Sequence, residues 1–176
     1  MKKIAAVLLY ACCLATLASP AFAEQNLSVG YGFGLFNQIH GSSNKVEGDN
    51  YYTLLQVLYG YEVPMTSWFS LLAEPYAAYV FQPSGGVELG LHLSGKVYPY
   101  SSGASRLYFL LGTGGMYTSV DFEEQPGHYL FILHAAVGFQ YKNFFLEDRF
   151  RHLSNGGTRS PNHSVHVNIV SIGMVF

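Results

Sequence analysis

From Leu27 onward, large apolar residues fall on every second position. Leu27, Val29, Tyr31, Phe33 and Leu35 alternate with Ser28, Gly30, Gly32 and Gly34. A period of two is that of a β-strand, whose successive side chains point to opposite faces. A strand on a soluble protein sets an apolar face against a solvated polar one. Here the second face is Gly-rich, as expected where side chains converge inside a narrow barrel. A soluble barrel holding a ligand would need the reverse arrangement, an apolar interior and a polar exterior. Beyond the first residues no segment approaches the roughly 20 apolar residues of a spanning helix. A chain of this kind that crosses a membrane does so as a closed barrel, because hydrocarbon tolerates no unpaired strand edge.

The alternation recurs along the chain. Tyr51, Thr53, Leu55, Val57, Tyr59 and Tyr61 oppose Gln56, Gly60 and Glu62. Phe69, Leu71, Ala73, Ala77, Tyr79 and Phe81 oppose Ser70, Glu74 and Tyr76, with Pro75 predicting a bulge. Val87, Leu89, Leu91, Leu93 and Val97 oppose Glu88, Gly90, His92, Ser94 and Lys96. Further strands are expected from about residues 106–118, 128–141, 144–153 and 165–176, the third of them entered by a tight turn at Lys142-Asn143. The prediction is an all-β fold, an eight-stranded antiparallel transmembrane barrel of the outer-membrane type. Polar segments at 37–49, 82–86, 119–127 and 155–164 alternate with turns near Pro64-Met65, 101–105 and Lys142-Asn143. That matches long loops at one end and short turns at the other, apart from the short segment at 82–86. The chain ends on Phe176, an aromatic terminus in which it resembles other bacterial outer-membrane proteins. Glu62, Glu74, Glu88, His92, Lys96, Glu147, Arg149 and Arg151 fall on inward positions. Eight strands leave little more room than side chains fill, so an ion-pair network plugging the lumen is expected in preference to a polar channel.

The start of the chain reads as an export signal. Lys2 and Lys3 precede an apolar run from Ile4 to Leu17, and Ala21-Phe22-Ala23 has the small-x-small form of a cleavage site. Residues 1–23 are thus a signal peptide and 24–176 a single barrel domain. Lipidation at Cys12 or Cys13 is the weighed alternative, disfavoured by the very short apolar run and Tyr10. Both cysteines lie in the signal, so the mature chain has neither disulfides nor thiolate metal sites. Removing Lys2 and Lys3 leaves seven bases against eleven acids, without the basic cluster a nucleic-acid partner requires. Nothing in the sequence reports the oligomeric state.

The most specific segment is Arg151-His152-Leu153-Ser154-Asn155-Gly156-Gly157, followed by Pro161-Asn162. His152 and Ser154, two apart on a strand, share a face at a spacing of about 7 Å. An imidazole so placed can take the proton of a serine hydroxyl. Parity sets the face. Phe144, Leu146, Phe150, His152 and Ser154 share one side, while Glu147, Arg149 and Arg151 share the other. The first set is the apolar one, so the pair faces lipid. Asp148 breaks this rule, and a nearby bulge would turn it away. With an even strand count both termini lie on the periplasmic side, and the seventh strand ends at the outer leaflet. An interfacial His and Ser opening a polar loop would give the same pattern without chemistry. A metal site on His152, His163 and His166 fits no strong ligand spacing and a lipid-facing wall suits it poorly. His128 and His134 read as structural.

The run His152-x-Ser154-Asn155-Gly156-Gly157, then Pro161-Asn162, in the last hairpin of a small barrel ending in Phe176, resembles the lipid A 3-O-deacylase (PagL-type) family. The likeness in organisation spans the mature chain, and the specific motif covers its final hairpin. The resemblance implies a bacterial outer-membrane serine esterase that removes the ester-linked acyl chain at position 3 of lipid A. It implies Ser154 as nucleophile, His152 as general base, and Asn155 with the backbone around Gly157 lining the oxyanion hole. It implies lipopolysaccharide in the outer leaflet as partner and no cofactor or metal. In the family a Glu five residues after the Pro orients the histidine, and in this chain that position is His166, which shares the outward parity of Ile172 and Phe176 and could reach His152 across the hairpin. No Asp or Glu follows Asp148. A Ser-His-His site, a weakened enzyme and an inactive structural or lipid-binding barrel all follow from that departure.

Overall fold

The computed structural model describes residues 23–35, 52–122 and 125–176. The expected signal peptide, apart from Ala23, and most of the segment before the second strand lie outside the described residues. Eight strands follow one another: β1 Glu24–Gly34, β2 Thr53–Pro64, β3 Phe69–Gln82, β4 Gly86–Ser102, β5 Ser105–Thr118, β6 Tyr129–Tyr141, β7 Phe144–Ser154 and β8 Val165–Val175. Each pairs antiparallel with the next, and β1 pairs with β8, so the sheet closes without an edge. β-branched and aromatic residues on alternate positions favour this pleated surface.

The wall is inverted relative to a soluble protein. Leu111 is 72 % exposed and Ile172 64 %, whereas Glu88 and Arg151 are fully buried. An apolar exterior of this kind excludes the soluble-barrel alternative. The lumen is filled in layers. Tyr52, Leu54, Val80, Met116, Leu153 and Ile169 belong to an apolar cluster toward the β7–β8 loop end. Below it lie the charges. The Arg149 guanidinium grips Glu74 through two 2.8 Å bonds and donates to Glu147 from Nε at 2.8 Å. Lys96 donates to Glu62 at 2.8 Å, and Arg151 donates to Glu88 at 3.2 Å. The expected network is therefore present, with the charges spent on one another.

Two local expectations fail. Register is continuous through Pro75, which pairs with Leu91 on β4, so no bulge forms there. Pro75 points outward, and the β2–β3 ladder keeps the same offset on either side of it. Proline removes a donor, but by itself it does not insert the extra residue that defines a bulge. The irregularities fall instead at Thr53/Leu54 and Val97/Tyr100. The second of these carries β4 on to Ser102, well past Val97, and the turn shrinks to Gly103-Ala104.

Candidate active site

β7 and β8 meet with His152 directly opposite His166, and β6 places Phe131 opposite Ser154. Leu153 is fully buried in the lumen, so its neighbours His152 and Ser154 project from the outer face. His166 projects there too, as its parity predicted. The imidazoles touch, with His152 Nδ1 3.0 Å from His166 Nε2. Phe150 stacks on the other side of His166, with ring centroids 5.4 Å apart and planes 22° from parallel. His166 Nδ1 is buried and has no hydrogen-bond partner among the described residues.

Ser154 is occupied on its other side. Its hydroxyl donates to Asn162 Oδ1 at 3.1 Å and accepts from the Gly156 backbone N–H at 3.1 Å. Among the described residues no hydrogen bond joins it to His152. The two side chains share a face and a rim.

The loop from 155 to 164 is held from within. Asn155 is buried; its Nδ2 donates to the carbonyls of Arg159 and Pro161, both at 3.1 Å, and its Oδ1 accepts the Gly157 N–H at 2.9 Å. Asn155 and Gly157 are thus brought to each other, and the Asn155 Nδ2 and Gly157 N–H donors are spent inside the loop. The donor nearest the serine oxygen is the N–H of Gly156. Gly156 and Gly157 have φ of 64° and 74°, the left-handed region where a side chain is strained, and a Cβ at Gly156 would press on the Phe131 ring.

Two partners escaped the sequence reading. Asn162 lay in the quoted motif without a role, and it receives both the Ser154 hydroxyl and the Asn155 N–H. Gln125, from the loop before β6, accepts the Asn155 N–H at 2.6 Å and donates to the His163 carbonyl. A lone loop glutamine carries no sequence signal for such a contact. Asp148 does not turn away. The β6–β7 and β7–β8 registers run straight through it, and it stands exposed on the outer face, hydrogen-bonded by Asn168 Nδ2. His134 is a lumen residue tilted against His92 with ring centroids 4.5 Å apart, and His128 Nδ1 lies 2.9 Å from the Thr118 carbonyl oxygen. Among the described residues no three His, Cys, Asp or Glu side chains gather as a metal-binding group.

Comparison with known proteins places this geometry. The sequence profile of the family described as lipid A 3-O-deacylase (PagL) matches residues 30–175. No curated protein matches in sequence. The crystal structure of the outer membrane enzyme PagL superposes with a TM-score of 0.64 at 14 % identity, covering 83 % of this chain and 97 % of that one. Neisserial surface protein A gives a TM-score of 0.58 at 12 % identity, covering 87 % and 95 %. At these identities the structures establish a shared barrel, and the profile match supplies the family. The protein is a bacterial outer-membrane β-barrel and belongs to the lipid A 3-O-deacylase (PagL) family.

Proposed function

We propose that this barrel hydrolyses the ester-linked acyl chain at position 3 of lipid A in the outer leaflet, with Ser154 as nucleophile, His152 as general base and His166 as the group that orients the base. The observation that carries the reading is the His152–His166 contact of 3.0 Å across the outer wall, one outward position below Ser154. Ser154 lies at the end of β7, on the barrel rim opposite both termini. With the termini periplasmic, that rim lies where the acyl esters of lipopolysaccharide enter the bilayer.

The proposed roles fix the tautomers. To accept a proton at Nε2, neutral His152 carries its own hydrogen on Nδ1 and donates it to His166 Nε2. Neutral His166 then holds its hydrogen on Nδ1. The Ser154 hydroxyl releases Asn162, gives its proton to His152 Nε2 and attacks the acyl carbonyl. The protonated base then delivers that proton to the leaving sugar oxygen. Water, deprotonated by His152, releases the acyl group as a free fatty acid, leaving a lipid A with one chain fewer. The Gly156 N–H, already beside the serine oxygen, is the donor suited to the oxyanion. Asn155 and Gly157 serve that donor by fixing the turn that presents it.

A second reading, an inert lipid-contacting barrel, is favoured by the Ser154–Asn162 bond and by the uncharged group opposite His152. The two separate when the chain is expressed in a Gram-negative host and lipid A is examined by mass spectrometry. The hydrolase reading requires loss of one acyl chain in cells expressing the chain and its retention with Ser154→Ala. Unaltered lipid A beside a correctly folded barrel selects the inert reading.

A further inference from the structure

A charge on the lipid-facing wall needs a reason, because carboxylates there are destabilising near the bilayer midplane. Among the described residues Asp148 is the one strand carboxylate exposed on the outer face; Glu62, Glu74, Glu88 and Glu147 are buried in the lumen, and the half-buried Glu24 of β1 is paired with Arg106. Asp148 lies directly below the proposed site. From the rim downward, the outward positions of β7 are Ser154, His152, Phe150 and Asp148, and those of β8 are His166, Asn168 and Val170. Asn168 donates its amide hydrogen to Asp148 Oδ1. Two positions above it on the same face sits His166, whose buried Nδ1 has no partner among the described residues. Its catalytic tautomer puts a hydrogen on that atom, and an unsatisfied buried donor is destabilising.

We infer that Asp148, acting through Asn168, is the displaced acid of this site. The inference rests on the hydrolase reading. The Asn168 amide donates to Asp148 with its nitrogen, and its carbonyl oxygen is the acceptor on this face that suits the His166 Nδ1–H. Residues two apart on one strand face are about 7 Å apart at Cα, within reach of an Asn and a His side chain after rotation. The chain of groups is Asp148, Asn168, His166, His152, Ser154. One proton moves along it, from Ser154 Oγ to His152 Nε2; the other hydrogens stay where they are. Asp148 supplies the negative charge that stabilises the resulting imidazolium from about 13 Å away. A charge acts over that distance because the intervening medium is apolar. The other outward neighbours are uncharged: Leu133, Ala135 and Val137 on β6, Phe33 and Tyr31 across β8 on β1. Arg149 and Arg151 lie behind the wall, bound to Glu74, Glu147 and Glu88, and the exposed Arg159 belongs to the loop above Ser154. Asp148 is on this view a positioning and electrostatic residue that never touches substrate.

The test is a double-mutant cycle on the full-length barrel in lipid bilayers. It reads the rate at which a fluorophosphonate labels Ser154 and, separately, the rate of lipid A deacylation. Asp148→Asn is expected to slow labelling at least about tenfold, and Asp148→Glu to hold it within about threefold of the parent. With a carboxylate installed beside His152 by His166→Glu, the same Asp148→Asn change should cost less than about twofold, because the charge is no longer missing. Asn168→Leu reads the link from its other end and is expected to match Asp148→Asn. Equal loss in both backgrounds means a merely structural Asp148 and overturns the inference, as does no loss in either. Labelled Ser154 with intact lipid A overturns the proposed substrate and leaves this inference standing. A folded barrel whose Ser154 never labels overturns both.

Discussion

The two faces of β7 put polar groups to opposite uses. On the inner face Glu147, Arg149 and Arg151 are buried and joined to carboxylates, hydroxyls or an imidazole across the lumen. On the outer face Asp148 is exposed and His152 and Ser154 are partly exposed on an otherwise apolar wall, and each has one or two polar partners. Alternate residues of one strand thus follow different rules. Inside, polarity is required, since a narrow barrel must fill and neutralise its own lumen, and each charge there is explained by its counter-charge. Outside, lipid makes no such demand, and a polar side chain that persists there calls for a chemical explanation. In this chain the ordinary intuition about buried charge is turned inside out: the exposed polar groups are the ones the proposed site uses.

That contrast is open to direct attack. Ser154→Ala should remove lipid A hydrolysis by about a thousandfold or more while the barrel keeps its folded mobility on unheated gels. Retained hydrolysis would detach the outer face from the chemistry. Arg149→Met should do the opposite. By leaving Glu74 and Glu147 buried without their cation it lowers unfolding free energy by about 3–5 kcal/mol, read from urea titration in bilayers, while surviving folded molecules keep their hydrolytic rate. A large rate loss from that inner-face change would dissolve the distinction between the faces. His166→Glu should raise the deacylation rate by about tenfold or more, because a carboxylate balances the imidazolium where a neutral ring cannot. An unchanged or lower rate would show that His166 is already the better orienting group here. His163→Ala should change the rate by no more than about twofold, since among the described residues its backbone carbonyl is the part engaged. A greater fall would bring the third histidine back into the site.

Much of the barrel was legible because lipid and a narrow lumen impose one pattern on every strand. The alternation around Val29, Leu89 and Ile172 gave strand identity and face together, and strand ends fell within a few residues of expectation except at β4. There Val97 and Tyr100 sit across an irregularity that no composition signal announces. Pro75 showed the converse, a strong local signal that the surrounding ladders absorb. In the candidate site, parity placed His152, Ser154 and His166 on one outer face, and the cross-strand register brought the two imidazoles together. The partners of Asn155 were not legible, because they depend on the path of residues 155–164.

By itself the sequence determined the closed antiparallel barrel and which side chains face lipid. Those follow from a period of two and from a solvent that forbids unpaired backbone, and both are local or universal constraints. The tertiary structure alone decided which polar groups meet: Arg149 with Glu74 across the lumen, Gln125 with Asn155, Ser154 with Asn162, Asn168 with Asp148. Such pairings depend on strand register and loop path over long sequence separations. Alternation says which way a side chain points, and it says nothing about who stands opposite.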